Sequence, residues 1–296
     1  MKQTTVSVQG RLIQRLFTTV GRAVGWWTRL EYEGPNRFIE PPALIVANHG
    51  FGGIFDLNAF TVAALAERLR PRDDVQFTFL THQLAWTLGV GPYLEAAGAR
   101  VATPQSAMKA LSQGHYVLVM PGGDLDAGKS FRRRNEIVFG GRTGFAKVAL
   151  DAGVPIIPIV MSGAGETLLV LWDGQPLAKL LRLPKLARTK TLPVSVSVPY
   201  GLSVRVAGIL PYFPLPAKMR AAVLDPIEAR SNETPSSLAE RVEKAMQAKL
   251  EEQTNGRVPF LGVKWSEVFD FEGRMPYSGG SSSHGPTKSG GSPHAA

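Results

Sequence analysis

From residue 43 to about residue 210 the chain alternates short apolar runs with longer amphipathic segments. That alternation narrows the fold more than any other feature. "ALIVAN", "VQFTFLT", "HYVLVMPGG", "VPIIPIVMSG" and "GLSVRVAGIL" have the length and composition of strands buried on both faces. Between several of them stand helical patterns, "DLNAFTVAALAERLR", "TPQSAMKALSQG" and "RTGFAKVALDAG", the last stopped at Gly153. Strands and helices in this order predict an α/β fold with a largely parallel central sheet flanked by helices. The chain has 296 residues, enough for one large domain or two small ones.

The two ends read differently. In "RLIQRLFTTVGRAVGWWTRLEYEG", Leu12, Leu16, Val20, Val24 and Trp27 fall on one helical stripe, with Arg11, Arg15, Arg22 and Arg29 largely off it. A basic amphipathic helix ending in tryptophans suits a membrane interface, ahead of the alternative of a helix docked on its own domain, because basic and aromatic residues coincide. The expected organisation is this helix over 1–35, the main domain over 36–275 and a Gly/Ser/Pro-rich tail without fixed structure over 276–296. A charged helix, "TPSSLAERVEKAMQAKLEEQT", closes the main domain. No apolar stretch reaches the roughly 18 residues of a membrane span, and arginines interrupt any signal-peptide core. The expected location is therefore the cytoplasmic face of a membrane. A net charge of +9 favours an anionic partner without ranking nucleic acid, acidic lipid headgroups or a phosphorylated substrate.

Four chemistries compete for the polar residues. "GDLDAGKS", Gly123 to Ser130, fits the phosphate-loop pattern G-x-x-x-x-G-K-S. Its context is poor: "FRRRNEIVFGG" follows where a packed helix should, and Asp124 and Asp126 would sit in a cradle built for an anion. The chain has no cysteine, and His49, His82 and His115 lack metal-ligand spacing, so no metal is expected. "VMSGAG" around Ser162 lacks the first glycine of a serine-hydrolase elbow. No nucleic-acid-binding motif accompanies the charge, so no nucleic acid is expected as a partner. His49 stands apart, because a strand running out into glycines delivers it to the strand's C-terminal edge, where open α/β sheets bind ligands. Asp56 is near enough to hydrogen-bond one ring nitrogen, which would serve a base or simply a buried, capped histidine.

At these residues the chain resembles a family. "NHGFGGIFD" is similar to the asparagine-histidine-x4-aspartate block of the glycerolipid (lysophospholipid) acyltransferase superfamily. "GARVATPQSAMKALSQGHYVLVMPGG" resembles the family's second and third blocks, and "GRTGFAKVALDAGVPIIPIV" its closing proline block, in the family's order. The resemblance spans roughly 40–230, and "MPGG" followed by "GRTGFAKVA" is most like the branch holding type-2 diacylglycerol acyltransferases and transmembrane protein 68. Two departures stand out: six residues rather than four separate His49 from Asp56, and Gly122, Gly123 and Asp124 replace the usual glutamate-glycine-threonine-arginine after Pro121.

The resemblance implies acyl transfer from acyl-CoA, as co-substrate, to a glycerolipid hydroxyl at a membrane surface, with no resident cofactor. A silent lipid-binding protein of the same fold is the alternative, and nucleotide hydrolysis a remote one. In the family reading His49 is the base, Asp56 orients it, and Asn48 belongs to the substrate-binding block. Backbone N–H groups at Gly122 and Gly123 would hold the oxyanion, and Arg132, Arg133, Arg134 and Arg142 the CoA phosphates. Repulsion from Asp124 and Asp126 would favour diacylglycerol or monoacylglycerol over lysophosphatidic acid. Lys129 has no role in this reading, so Lys129→Ala is expected to leave transfer mostly intact.

Overall fold

The computed structural model describes residues 8–51, 56–87, 89–186, 189–204 and 210–268. Helix α1 (Val8–Trp27) and strand β1 (Glu31–Glu33) open the chain. Then come β2 (Ala43–Ala47), α2 (Leu57–Leu69), β3 (Phe77–Thr81), α3 (Leu84–Thr87), α4 (Gly91–Ala96), β4 (Ala99–Val101), α5 (Pro104–Ser112) and β5 (Tyr116–Val119). After β5 the chain forms α6 (Gly123–Ala127), α7 (Gly144–Ala152), β6 (Ile156–Ser162), β7 (Leu169–Trp172), α8 (Gln175–Leu180) and α9 (Leu183–Leu186). It ends with β8 (Val194–Ser197), β9 (Gly201–Val204), β10 (Arg220–Val223), α10 (Pro235–Thr254) and α11 (Trp265–Val268).

Among the described residues, one sheet runs in the order β1-β10-β6-β2-β5-β3-β4. Its five strands from β6 to β4 are mutually parallel, and β10 joins β6 antiparallel, bringing β1 with it. Every residue of β2 and of β6 is buried, because helices cover both faces. On one face Leu44, Val46, Val117 and Ile156 pack against α5, α7 and α10. On the other, Ala43, Ile45, Leu118 and Ile157 meet Val62, Leu65 and Leu69 of α2.

The helix ends follow their sequence signals. Thr103 caps α5 and Thr234 caps α10, each followed by proline at the first helical position. Gly153 ends α7 in the left-handed conformation at φ 61°, a backbone that other residues seldom adopt.

"GLSVRVAGIL" departs from expectation. Its described part, β9, joins β7 and β8 in a separate three-stranded antiparallel sheet, with Leu202 and Val204 exposed. The stretch alternates apolar with small or polar residues, and that period suits a sheet with one open face rather than two covered ones.

Helix α1 lies on the outer side of α2. Gly21 is the closest approach, since a Cβ there would stand 2.2 Å from the Phe60 carbonyl oxygen. Phe17 meets the Phe60 ring at 5.1 Å. The expected stripe therefore divides: Val20 and Val24 pack inward, whereas Leu12, Leu16 and the neighbouring Trp26 stay exposed. Among the described residues no helix is long and apolar enough to cross a membrane. The tail at 276–296 lies outside the described residues.

Candidate active site

Strands β2 and β5 are neighbours, yet the chain leaves β2 for α2 on one face of the sheet and β5 for α7 on the other. Such a divergence opens a crevice at the carboxyl ends of the two strands. Asn48 and His49 enter it from β2. The Asn48 side chain accepts from the Met161 N–H at 2.8 Å and donates to the Met161 carbonyl at 2.9 Å, so it continues the pairing with β6 by one step. Asn48 is thus a buried framework residue that fixes where β2 ends.

His49 Nδ1 lies 2.5 Å from Asp56 Oδ2, so the longer spacer still brings the carboxylate back to the ring. Asp56 is held independently of the histidine. It is the N-cap of α2, its Oδ1 accepting from the Asn58 N–H at 2.8 Å. Asn58 Nδ2 donates in turn to the Asn48 carbonyl at 3.0 Å, tying the cap to the strand end.

Some 18% of the His49 side chain remains exposed, and Nε2 has no hydrogen-bond partner among the described residues. Burial pushes the imidazole pKa down, but the hydrogen bond and charge of Asp56, aided by Asp126, outweigh it and leave the pKa above its ordinary value. The arrangement is a histidine oriented through Nδ1, with Nε2 open to accept a proton.

A second carboxylate positions the backbone. Asp126 Oδ2 accepts from the His49 N–H at 2.7 Å, while Oδ1 pairs with Lys129 Nζ at 2.7 Å. Asp126 is fully buried and Lys129 nearly so, and Nζ also donates to the Glu136 carbonyl at 2.6 Å. Sequence reasoning missed both. The available signal was an acid and a lysine three residues apart, hidden inside a phosphate-loop match. That match is overturned: α6 occupies the residues a phosphate loop leaves open, and its lysine points inward to a carboxylate.

Of the glycine pair, Gly123 differs from expectation. The Gly123 N–H donates to the Met120 carbonyl at 3.2 Å, so the turn itself consumes that donor. Gly122 is needed for space, since a Cβ there would fall 2.4 Å from the Val138 carbonyl oxygen. Gly50, too, serves close packing: its Cβ would stand 2.7 Å from that of Ala164.

Three of the four arginines have internal partners. Arg142 pairs with Asp124 at 2.8 Å and donates to the Pro121 and Gly122 carbonyls. Arg133 pairs with Glu136 at 2.7 Å, and Arg134 reaches Glu166 at 3.6 Å while lying over the Phe131 ring. Arg132 is exposed. Hence Asp124 and Asp126 each have a matching cation, and the expected repulsion of phosphate at this block is cancelled.

Comparison with known proteins agrees with this fold. The Acyltransferase family model matches residues 29–162, which contain β2, His49, Asp56 and β5. An uncharacterized protein of Mycobacterium leprae is 32% identical over 203 residues, covering 68% of this chain and 51% of that protein. A chicken protein named as a DGAT1/2-independent enzyme synthesizing storage lipids is 30% identical over 223 residues, covering 75% of this chain and 59% of that one. Its human counterpart is 28% identical, with 79% and 64% covered. The chain thus spans about half to two thirds of the length of these relatives. The 1-acyl-sn-glycerophosphate acyltransferase PlsC of Thermotoga maritima has the same fold, with a TM-score of 0.51 at 14% identity over 83% of this chain and 82% of that one. By its ordered sequence blocks, its sheet and its family match, the chain carries a domain of the acyltransferase family.

Proposed function

We propose that the protein transfers a fatty acyl group from acyl-CoA to a glycerolipid hydroxyl at a membrane surface on its cytoplasmic side. The observation that carries this is the His49–Asp56 pair at the carboxyl edge of β2, with Nε2 left open. In the reaction Nε2 takes the acceptor hydroxyl proton as the oxygen attacks the thioester carbonyl. The C–S bond then breaks, and the imidazolium returns the proton to the departing thiolate. Asp56 stabilises the imidazolium and fixes its tautomer. No enzyme nucleophile is required. Arg132 is the arginine of the expected group best placed to meet CoA phosphates, since the others already serve internal partners. Purified protein with labelled acyl-CoA and a panel of acceptors tests the whole reading, and absence of any acyl ester product rejects it.

A protonated His49 cannot act as a base. Because Asp56 and Asp126 hold its pKa above the ordinary value, a larger fraction is protonated at neutral pH and the rate should climb as pH rises through that pKa. Asp56→Asn removes the largest raising influence. The acid limb of kcat/KM is therefore expected to move to lower pH as the rate falls. An acid limb that stays in place in this variant would disconnect Asp56 from the base.

For the acceptor, the proposal is diacylglycerol or monoacylglycerol ahead of lysophosphatidic acid. Its support is neutrality rather than repulsion. Each carboxylate of the "PGGDLDA" block is matched, and Arg142 is committed to Asp124, leaving no spare guanidinium there for a phosphomonoester. Relatives named for storage-lipid synthesis support the same choice. With diacylglycerol and lysophosphatidic acid offered together at equal concentration, triacylglycerol should predominate. Predominant phosphatidic acid would reverse the acceptor and leave acyl transfer intact.

A further inference from the structure

In the sheet formed by β7, β8 and β9, the strands β8 and β9 turn their apolar side chains outward. Pairing places Trp172, Val194 and Val204 on one face together with Val196 and Leu202. Of these, Trp172, Val196, Leu202 and Val204 are exposed. The opposite, inward face carries buried Val170 together with Ser195, Ser197 and Ser203, whose hydroxyls are buried and unpartnered. In a sheet resting on a protein core the valines would point in and the serines out. A one-residue shift of the alternation would achieve that, and burying an unpaired hydroxyl is unfavourable. The outward face therefore has its own apolar partner.

What that partner is follows from charge. Between Asp173 and Asp225 the chain has no Asp or Glu, against eight Lys and Arg. The connection from β7 to β8 presents Lys179, Arg182 and Lys185 beside exposed Leu180, Leu181 and Leu186. A second copy would bring the same basic fringe and be repelled. The C-terminal residues after Tyr277 are rich in Gly and Ser and offer few apolar side chains. Apolar contact ringed by positive charge is the chemistry of an anionic bilayer.

The inward side of this sheet meets the candidate site. Phe51, two residues beyond His49, packs on Leu168 and Val170 at the inner side of β7. Lys190 and Thr191 hydrogen-bond to Asp124 in α6. Trp27 of α1 meets Phe213 at 5.2 Å, and Phe213 bridges to Val198 at the end of β8.

We infer that the outward face of β7-β8-β9, with the basic fringe of α8 and α9, seats the protein on an anionic membrane, with the inward side of the same sheet turned to the site. The inference rests on the membrane part of the proposed function and names the surface that carries it. The test is flotation with phosphatidylcholine vesicles, with and without phosphatidylglycerol. W172S/V196S/L202S should lower partitioning to the anionic vesicles by about tenfold or more. K179Q/R182Q/K185Q should lower it by about a hundredfold on anionic vesicles, with little change on neutral ones.

All six positions are exposed, so circular dichroism melting should match wild type. If the sheet variant binds like wild type while L12S/L16S/W26S does not, α1 is the seat and the inference falls alone. If wild type fails to float, the membrane part of the proposed function falls as well. A wild-type dimer that the sheet substitutions split into monomers would assign the face to a second copy instead.

Discussion

His49→Ala is expected to reduce acyl transfer by about two to four orders of magnitude, the usual contribution of a general base. The fold should survive, because Asp56 keeps its bond to the Asn58 N–H and Asp126 bonds the backbone of residue 49, not its ring. Steady-state transfer from labelled acyl-CoA, with circular dichroism on the same preparation, checks both halves. A folded alanine variant with undiminished activity would falsify the mechanism. The variant also distinguishes the enzyme from a silent lipid-binding protein, since only the former loses anything measurable beyond structure.

Lys129→Ala carries the largest expected cost in stability, about 3–5 kcal/mol, because it strands Asp126 as a buried charge without its cation. Urea unfolding measures it directly. This reverses the sequence-based expectation that Lys129 is dispensable. Activity should fall with stability, since Asp126 holds the His49 N–H. The double variant Asp126→Asn/Lys129→Met removes both charges and leaves an acceptor for that N–H. It should recover most of the lost stability. Equal destabilisation in the single and double variants would show that the charges are not the source.

The parallel strands and the helices between them were legible because β2, β5 and β6 are covered on both faces and read as continuous apolar runs. Their C-terminal edge followed from topology, and with it the position of His49. Strand β10 was not legible: its four residues, Arg220–Val223, begin with an arginine and contain two alanines, so no apolar run marks them. The partner of Asp126 was hidden for another reason. "DLDAGKS" states only that acids and a lysine are close, and whether the lysine turns outward to a phosphate or inward to a carboxylate depends on Glu136, whose carbonyl gives the ammonium its second bond. The outward orientation of the valines in β8 was equally invisible, because period-two alternation reads the same from either face.

Asp56 caps α2 and also orients His49, so two selective pressures act on one carboxylate. A descendant that abandoned acyl transfer would still need an acceptor for the first N–H groups of that helix, and aspartate or asparagine would persist there for folding alone. The histidine has no such second employment: its ring bonds only Asp56 among the described residues, and its backbone is held whatever the side chain. In lineages of this fold, loss of function should therefore be written first at position 49. An intact aspartate by itself records the history of the helix, not of the chemistry.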